Sequence, residues 1–224
     1  MKPNVALVVI TDGRGKYLEQ TVPSFRAACD FPFYKTILVD DSGDAEFHYR
    51  ADELVKPDLS ALHQRRMGGA AAIRSAWRLL RSLPVDYVFH LEDDWTFPCR
   101  VPVAEMVGLL DADSSLANVV LRRQSWGLEP VGGYIAADPD GFTQHYRTVD
   151  GTQVPYLVHN KGFWLNPGVY RADVVNMGWP AGGHEHHFSA RVAQRGYRFA
   201  VYGTADDAPR CLHIGSERSR AWTW

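Results

Sequence analysis

Val85–Phe97 reads VDYVFHLEDDWTF, an almost uninterrupted apolar run that ends in three consecutive carboxylates, Glu92, Asp93 and Asp94. Only a sheet covered on both faces tolerates such a run of β-branched and aromatic residues, so the segment is expected to be a buried strand. Three acids at its end repel one another and lose hydration unless a cation or hydrogen-bond donors face them. A divalent metal at the carboxyl edge of an α/β sheet meets both needs, and that edge is where open sheets bind ligands. The plainer alternative is a solvated acidic turn.

Working outward, Val5–Ile10 reads as another strand, followed by the polar turn TDGRG and a helix with Leu18, Val22, Phe25 and Ala28 on one face. Phe33–Val39 leads a further buried strand into Asp40, Asp41 and Ser42, a second place where acids close a strand. The polar stretch 43–58 is expected to hold at most a short strand near Glu53–Lys56. Gly68 and Gly69 open a helix carrying Ile73, Ala76, Trp77 and Leu80 at spacings of three and four. Strand and helix alternate throughout this half, which implies a mostly parallel sheet. Beyond it, Val103–Leu110 reads as a helix and Leu116–Leu121 as a strand. The region 127–158 reads as a meander or long loops, and Tyr170–Asn176 as a short helix. Gly182-Gly183 precedes a helix over His184–Arg195, Tyr197–Tyr202 returns as a strand, and Cys211–Ile214 is a short apolar run holding His213.

With 224 residues the chain can bury one substantial core, so one domain is expected. Its 24 basic and 26 acidic residues offer no global attraction for nucleic acid or anionic lipid. Three widely spaced cysteines suggest neither a disulfide scaffold nor a four-cysteine zinc site, and point to a reducing, cytoplasmic setting. The N-terminal apolar run is too short for a secretory signal, and no segment is long enough to span a bilayer. Seven tryptophans, several in Gly-, Pro- or Arg-containing segments, include Trp95, Trp164 and Trp179 as candidates to stack on a sugar, with core packing the commoner use.

The succession VVITDGRGKYLEQTVPSF, TILVDDSGD, GGAAAIRSAW, VFHLEDDW and the Gly-Gly-His-Glu helix start resembles the GT-A fold glycosyltransferases, above all the family 2 type that uses nucleotide sugars. The resemblance runs from Val5 to about Gly215. It implies a single α/β domain with a Rossmann-like, mostly parallel mixed sheet flanked by helices. Residues 1–98 would form the nucleotide-sugar half, 99–215 the acceptor side and 216–224 a tail. The chain departs from the family at Thr11-Asp12-Gly13-Arg14 and in having Glu92 where the metal motif begins with aspartate.

The resemblance also implies roles. Thr11, Asp12 and Asp93 are expected to line the nucleotide-sugar site, with Asp40 or Asp41 on the base or ribose and Arg74 near the diphosphate. Asp94, helped by Glu92 and by the late His213, is expected to hold Mn2+ or Mg2+. In an extended strand Glu92 and Asp94 project to the same side, which makes them the pair to face one diphosphate. A cation there stabilises charge leaving with the diphosphate, and a histidine ligand tilts the choice towards manganese. Glu185 resembles the acceptor-side general base of an inverting transfer, in a helix first turn that favours its ionised form. Arg65 and Arg66, or Arg122 and Arg123, are further candidates to neutralise a diphosphate. His-Glu-His-His at 184–187 is not the His-Glu-x-x-His zinc motif, because position 188 is phenylalanine.

An aspartate that accepts from uracil N3–H makes UDP-sugars the first expectation for the donor, with GDP-sugars next. The acceptor is expected to be a saccharide, a small molecule or a modified base in DNA. A sugar nucleotidyltransferase and a non-catalytic carbohydrate-binding module on a transferase scaffold are the rival readings.

Overall fold

The computed structural model describes residues 2–181 and 185–215. The Gly182-Gly183-His184 helix start and the tail 216–224 lie outside the described residues. In chain order the elements are β1 (Val5–Thr11), α1 (Gly15–Ala28), β2 (Lys35–Asp40), α2 (Ala45–Val55), β3 (Leu59–Leu62), α3 (Gly69–Leu80), β4 (Tyr87–Glu92) and β5 (Trp95–Thr96). They continue with α4 (Val103–Ala112), β6 (Leu116–Val120), α5 (Gly133–Ala137), β7 (Thr143–Val149), β8 (Thr152–His159), β9 (Gly168–Arg171), α6 (Glu185–Gln194), β10 (Arg198–Tyr202) and β11 (Leu212–His213).

Nine strands form one sheet in the order β3-β2-β1-β4-β9-β6-β10-β8-β7. The pairs β2–β3, β1–β2, β1–β4 and β6–β10 are parallel, and only β8 and β9 run against the rest. The mostly parallel mixed sheet expected from the sequence is therefore present. All seven residues of β1 are buried, as are the first five of β4, because helices cover both faces. On one face Leu18, Val22 and Phe25 of α1, Phe47 of α2 and Met106 of α4 form a core with Leu7, Val9, Phe89 and Leu91. On the other, Ile73 and Trp77 of α3 and Phe188 and Val192 of α6 pack on Val8, Ile10, Ile37 and Val88. Among the described residues no helix is long and apolar enough to cross a membrane, and the three cysteines are free thiols.

Two elements differ from the sequence reading. Glu53–Lys56 belongs to α2, not to a strand: Phe47, Ala51 and Val55 recur every four residues as its buried stripe. The Asp44 carboxylate caps this helix by accepting from the N–H groups of Glu46 and Phe47 at 2.9 and 3.1 Å. Tyr170 lies in strand β9, and only Ala172–Met177 coils, as a 3-10 turn. Its strand state is imposed from outside, since β9 fills the gap between β4 and β6 and pairs antiparallel with both. Gly168 permits that fit; a Cβ there would come within 2.6 Å of the Val119 carbonyl and the Val120 Cα. The 127–158 region resolves into α5, a short 3-10 turn and the β7–β8 hairpin.

Candidate active site

The strands β1, β2 and β4 end side by side at one edge of the sheet, Thr11 beside Asp40 and Ile10 beside Glu92. The loop after β1 turns at Gly13, where φ is +94° and a Cβ would stand 2.9 Å from the Ser42 Cβ, so glycine alone fits. Thr11 donates its hydroxyl to Asp93 Oδ2 at 2.7 Å, and the Asp12 N–H reaches the same oxygen at 3.3 Å. Arg14 then spreads its guanidinium over three acids. Nε donates to Asp12 Oδ1 at 2.7 Å, Nη1 to Asp94 Oδ2 at 2.7 Å and Nη2 to Asp93 Oδ1 at 2.5 Å. Sequence reading gave Arg14 no role; a lone arginine between two glycines carries no signal for one.

The acids do not follow the strand alternation expected of them. β4 stops at Glu92, and Asp93 and Asp94 form the two-residue turn into β5. Glu92 and Asp94 are consequently not the paired face that an extended chain would give. Asp93 points inward onto Thr11 and Arg14, and Asp94 shares the guanidinium with it. Thr21, buried in α1, holds the turn from below: its hydroxyl donates to the Asp93 carbonyl at 2.6 Å and accepts from the Trp95 N–H at 3.1 Å. Burial raises the Asp93 carboxyl to about 8, with Arg14 opposing and the neighbouring Asp94 and Asp12 adding to the rise. Burial would also raise Asp94, but the His213 hydrogen bond and the Arg14 charge outweigh it and hold Asp94 below its ordinary value.

His213 arrives from the far end of the described chain. β11 pairs antiparallel with β5, placing His213 opposite Trp95 and its Nε2 3.1 Å from Asp94 Oδ2. Gln124 clasps the strand, donating to the His213 carbonyl and accepting from its N–H, both at 2.9 Å. The imidazole lies between Trp95 and Trp126, each ring centroid 4.9 Å away. Trp126 is 48% exposed, whereas Trp95 and Trp179 are buried and Trp164 stacks on His159. Of the tryptophans singled out for stacking, Trp95 alone borders this site, by its edge.

The side chains here fit a divalent cation as a pair. Among the described residues no three His, Cys, Asp or Glu side chains are grouped to enclose one, so Glu92 does not complete a triad with Asp94 and His213. Asp94 Oδ1 is nevertheless buried without a hydrogen-bond partner, while Oδ2 of the same carboxylate lies 3.1 Å from His213 Nε2. A carboxylate oxygen and a histidine, completed by phosphate oxygens and water, suit manganese or magnesium.

Glu92 instead faces the other station. It is partly buried, 3.8 Å from His90 Nε2, and its charge is felt by Glu185. Glu185 stands at the described start of α6 and accepts the Leu165 N–H at 2.5 Å. Burial raises its carboxyl, the Leu165 hydrogen bond opposes, and the Glu92 charge adds to the rise, leaving it at about 7. Arg74 reaches towards the same segment, donating to the Pro180 carbonyl at 3.4 Å.

The second pair of acids is turned inward. Asp41, 1% exposed, accepts from the N–H groups of Met67 and Gly68 at 2.8 and 2.7 Å and sits 2.6 Å from His63 Nδ1. It pins the 63–68 loop to the start of α3. Asp40, fully buried, accepts the Ser42 N–H at 2.8 Å and lies 3.3 Å from His48 Nδ1. The two acids expected near a base or ribose thus stand at the sheet edge with their carboxylates turned onto loop N–H groups, since acids at strand ends also anchor loops. Arg122 and Arg123 are likewise spent internally, Arg122 on the carbonyls of Thr204, Ala205 and Gly132 and Arg123 bidentate on Glu129. Arg66 is exposed beside Gly13 and stays at the rim.

No family model matches the chain, and no curated protein matches it by sequence. Solved structures match over nearly its whole length. A mannosyltransferase from Pyrobaculum calidifontis, solved with GDP-Man and Mn2+, is 18% identical over 97% of this chain and 59% of its own, with a TM-score of 0.64. S. aureus TarS 1-349 with UDP-GlcNAc is 17% identical over 96% and 62%, TM-score 0.60. GalNAc-T7 with UDP, GalNAc and Mn2+ is 14% identical over 98% and 44%, TM-score 0.65. The chain spans less than two thirds of the length of each, and at these identities the likeness shows a shared fold.

Proposed function

We propose that this chain, which has the GT-A fold of glycosyltransferases, is itself a metal-dependent glycosyltransferase that moves a sugar from a nucleotide diphosphate to an acceptor hydroxyl with inversion. One observation carries the reading above the others: Glu185, a half-buried carboxyl poised at about 7, feels the charge of Glu92, which ends the strand whose next two residues hold the Arg14–His213 cluster. A base near neutrality and a cation-seeking acid are what such a transfer needs.

Asp94 and His213 would hold the divalent ion, which supplies positive charge to the departing diphosphate. Thr11, Asp12 and Asp93 set the floor of the donor side through Arg14 and the β1 loop. Glu185 accepts the proton of the acceptor hydroxyl as its oxygen bonds to the anomeric carbon. The electron pair of the broken carbon–oxygen bond leaves with the nucleotide diphosphate. UDP-sugars are the favoured donors and GDP-sugars the next; neighbours of this fold were solved with each nucleotide. A saccharide, a small molecule or a modified DNA base is the acceptor.

The test is a panel of UDP- and GDP-sugars with and without Mn2+, with the product anomer read by NMR. Glu185→Gln is expected to bind donor nucleotide normally and lose transfer by at least about a hundredfold. Asp94→Asn is expected to lose metal-dependent donor binding. Transfer by Glu185→Gln at the wild-type rate removes the base assignment, and release of pyrophosphate in place of a nucleoside diphosphate turns the reading to a nucleotidyltransferase.

A further inference from the structure

In the geometry of the β1 loop one arginine stands where the metal reading needs room. Arg14 contacts Asp12, Asp93 and Asp94 at 2.7, 2.5 and 2.7 Å, and these acids are 1%, 1% and 4% exposed. One guanidinium serves all three carboxyl groups, Asp12, Asp93 and Asp94. Two carboxylate oxygens in the cluster, Asp12 Oδ2 and Asp94 Oδ1, are buried with no hydrogen-bond partner. The guanidinium and His213 converge on the same atom, Asp94 Oδ2. Gly215 lies so close to this carboxylate that any side chain there would collide with it.

We infer that Arg14 is a built-in counter-cation of the donor site, which a divalent metal must partly displace: the metal takes Asp94 from the Nη1 end of the fork, and Arg14 remains on Asp12 and Asp93. The inference rests on the reading of Asp94 and His213 as metal ligands.

Three physical points support it. Asp94 Oδ1 has no solvent-accessible surface to speak of, so a cation reaches it only when a covering group gives way. Among the described residues Arg14, 16% exposed in its side chain, is the long flexible group on the cluster, whereas Asp93 and Thr11 are fixed by backbone and by Thr21. A second cation close to a guanidinium in a partly buried site is strongly repelled, so full occupancy by both is unfavourable. The consequence is a site that is compact and charge-compensated at rest. Its metal affinity is set by the arginine as much as by the ligands.

The experiment uses Mn2+ alone, with binding read by calorimetry and by the EPR signal of free Mn2+, on the wild type, Arg14→Met and Asp94→Asn. Arg14→Met is expected to bind Mn2+ at least tenfold tighter than the wild type. Its thermal midpoint is expected to rise with Mn2+ by more than that of the wild type. If Arg14→Met does not fold, Arg14→Gln, which keeps a polar donor at the position, is judged by the same criterion. Equal or weaker Mn2+ binding on removing the arginine, with binding still abolished in Asp94→Asn, overturns the counter-cation role and leaves the metal site standing. Absence of Mn2+ binding in both wild type and Arg14 variants overturns the metal site and the inference together.

Discussion

Glu185 keeps its proton up to about pH 7, so a transfer that uses it as base rises through that pH and falls about tenfold per unit below it. A pH–rate profile with the donor saturating measures this, and a flat profile between pH 5 and 8 contradicts it. The same shift acts on folding with the opposite convenience. The folded carboxyl binds its proton more tightly than the unfolded one, so between the ordinary value of 4.5 and about 7 the native state holds more protons and stability falls as pH rises. Neutralising the group removes that cost. Glu185→Gln, which can still accept the Leu165 N–H, is expected to be more stable than the wild type at pH 8 by about 1–3 kcal/mol and unchanged near pH 4. Urea titrations at the two pH values check the sign. A residue whose loss ends activity while raising stability is placed for chemistry, not for support.

At the scale of elements, α1 and the β4–β5 turn form a unit through one hydroxyl. Thr21→Val leaves the Asp93 carbonyl and the Trp95 N–H buried without partners. The expected cost is about 2–3 kcal/mol of stability, with weaker Mn2+ binding because the turn that presents Asp94 loosens. Thr21→Ser is expected to restore most of both. The sequence was most readable where strands are buried on both faces: β1, β2 and β4 print as continuous apolar runs, and the acids at their ends mark the sheet edge. It was least readable where a neighbour decides. α2 buries only three of its eleven residues, Phe47, Ala51 and Val55, and β9 is a strand because of the gap it fills. Asp40 and Asp41 carry the same signal as ligand-binding acids yet anchor loops. Thr21 is hidden inside a helical pattern, and Arg14 meets its three partners only once β1 and β4 lie side by side. The meeting of Asp94 with His213 was foreseen only through the family resemblance, since neither spacing nor periodicity brings residues 94 and 213 together.

Across the whole molecule, 24 basic and 26 acidic residues give no net pull on a polyanion. With a neutral saccharide acceptor, turnover is expected to change less than about twofold between about 50 and 200 mM salt, whereas a DNA acceptor held through phosphates would make it fall by orders of magnitude. A salt series on the best acceptor separates the two. The order of strands has a different outcome. β9, residues 168–171, is hydrogen-bonded on one side to β4 and on the other to β6, so the later part of the chain is threaded into the middle of the earlier part. Between them the connection runs through the rim, where Leu128 and Val131 are fully open to solvent. A protease that nicks there is expected to yield two pieces that travel as one on a sizing column and part only in denaturant. The molecule behaves like a clasped buckle, whose strap can be severed without releasing the tongue.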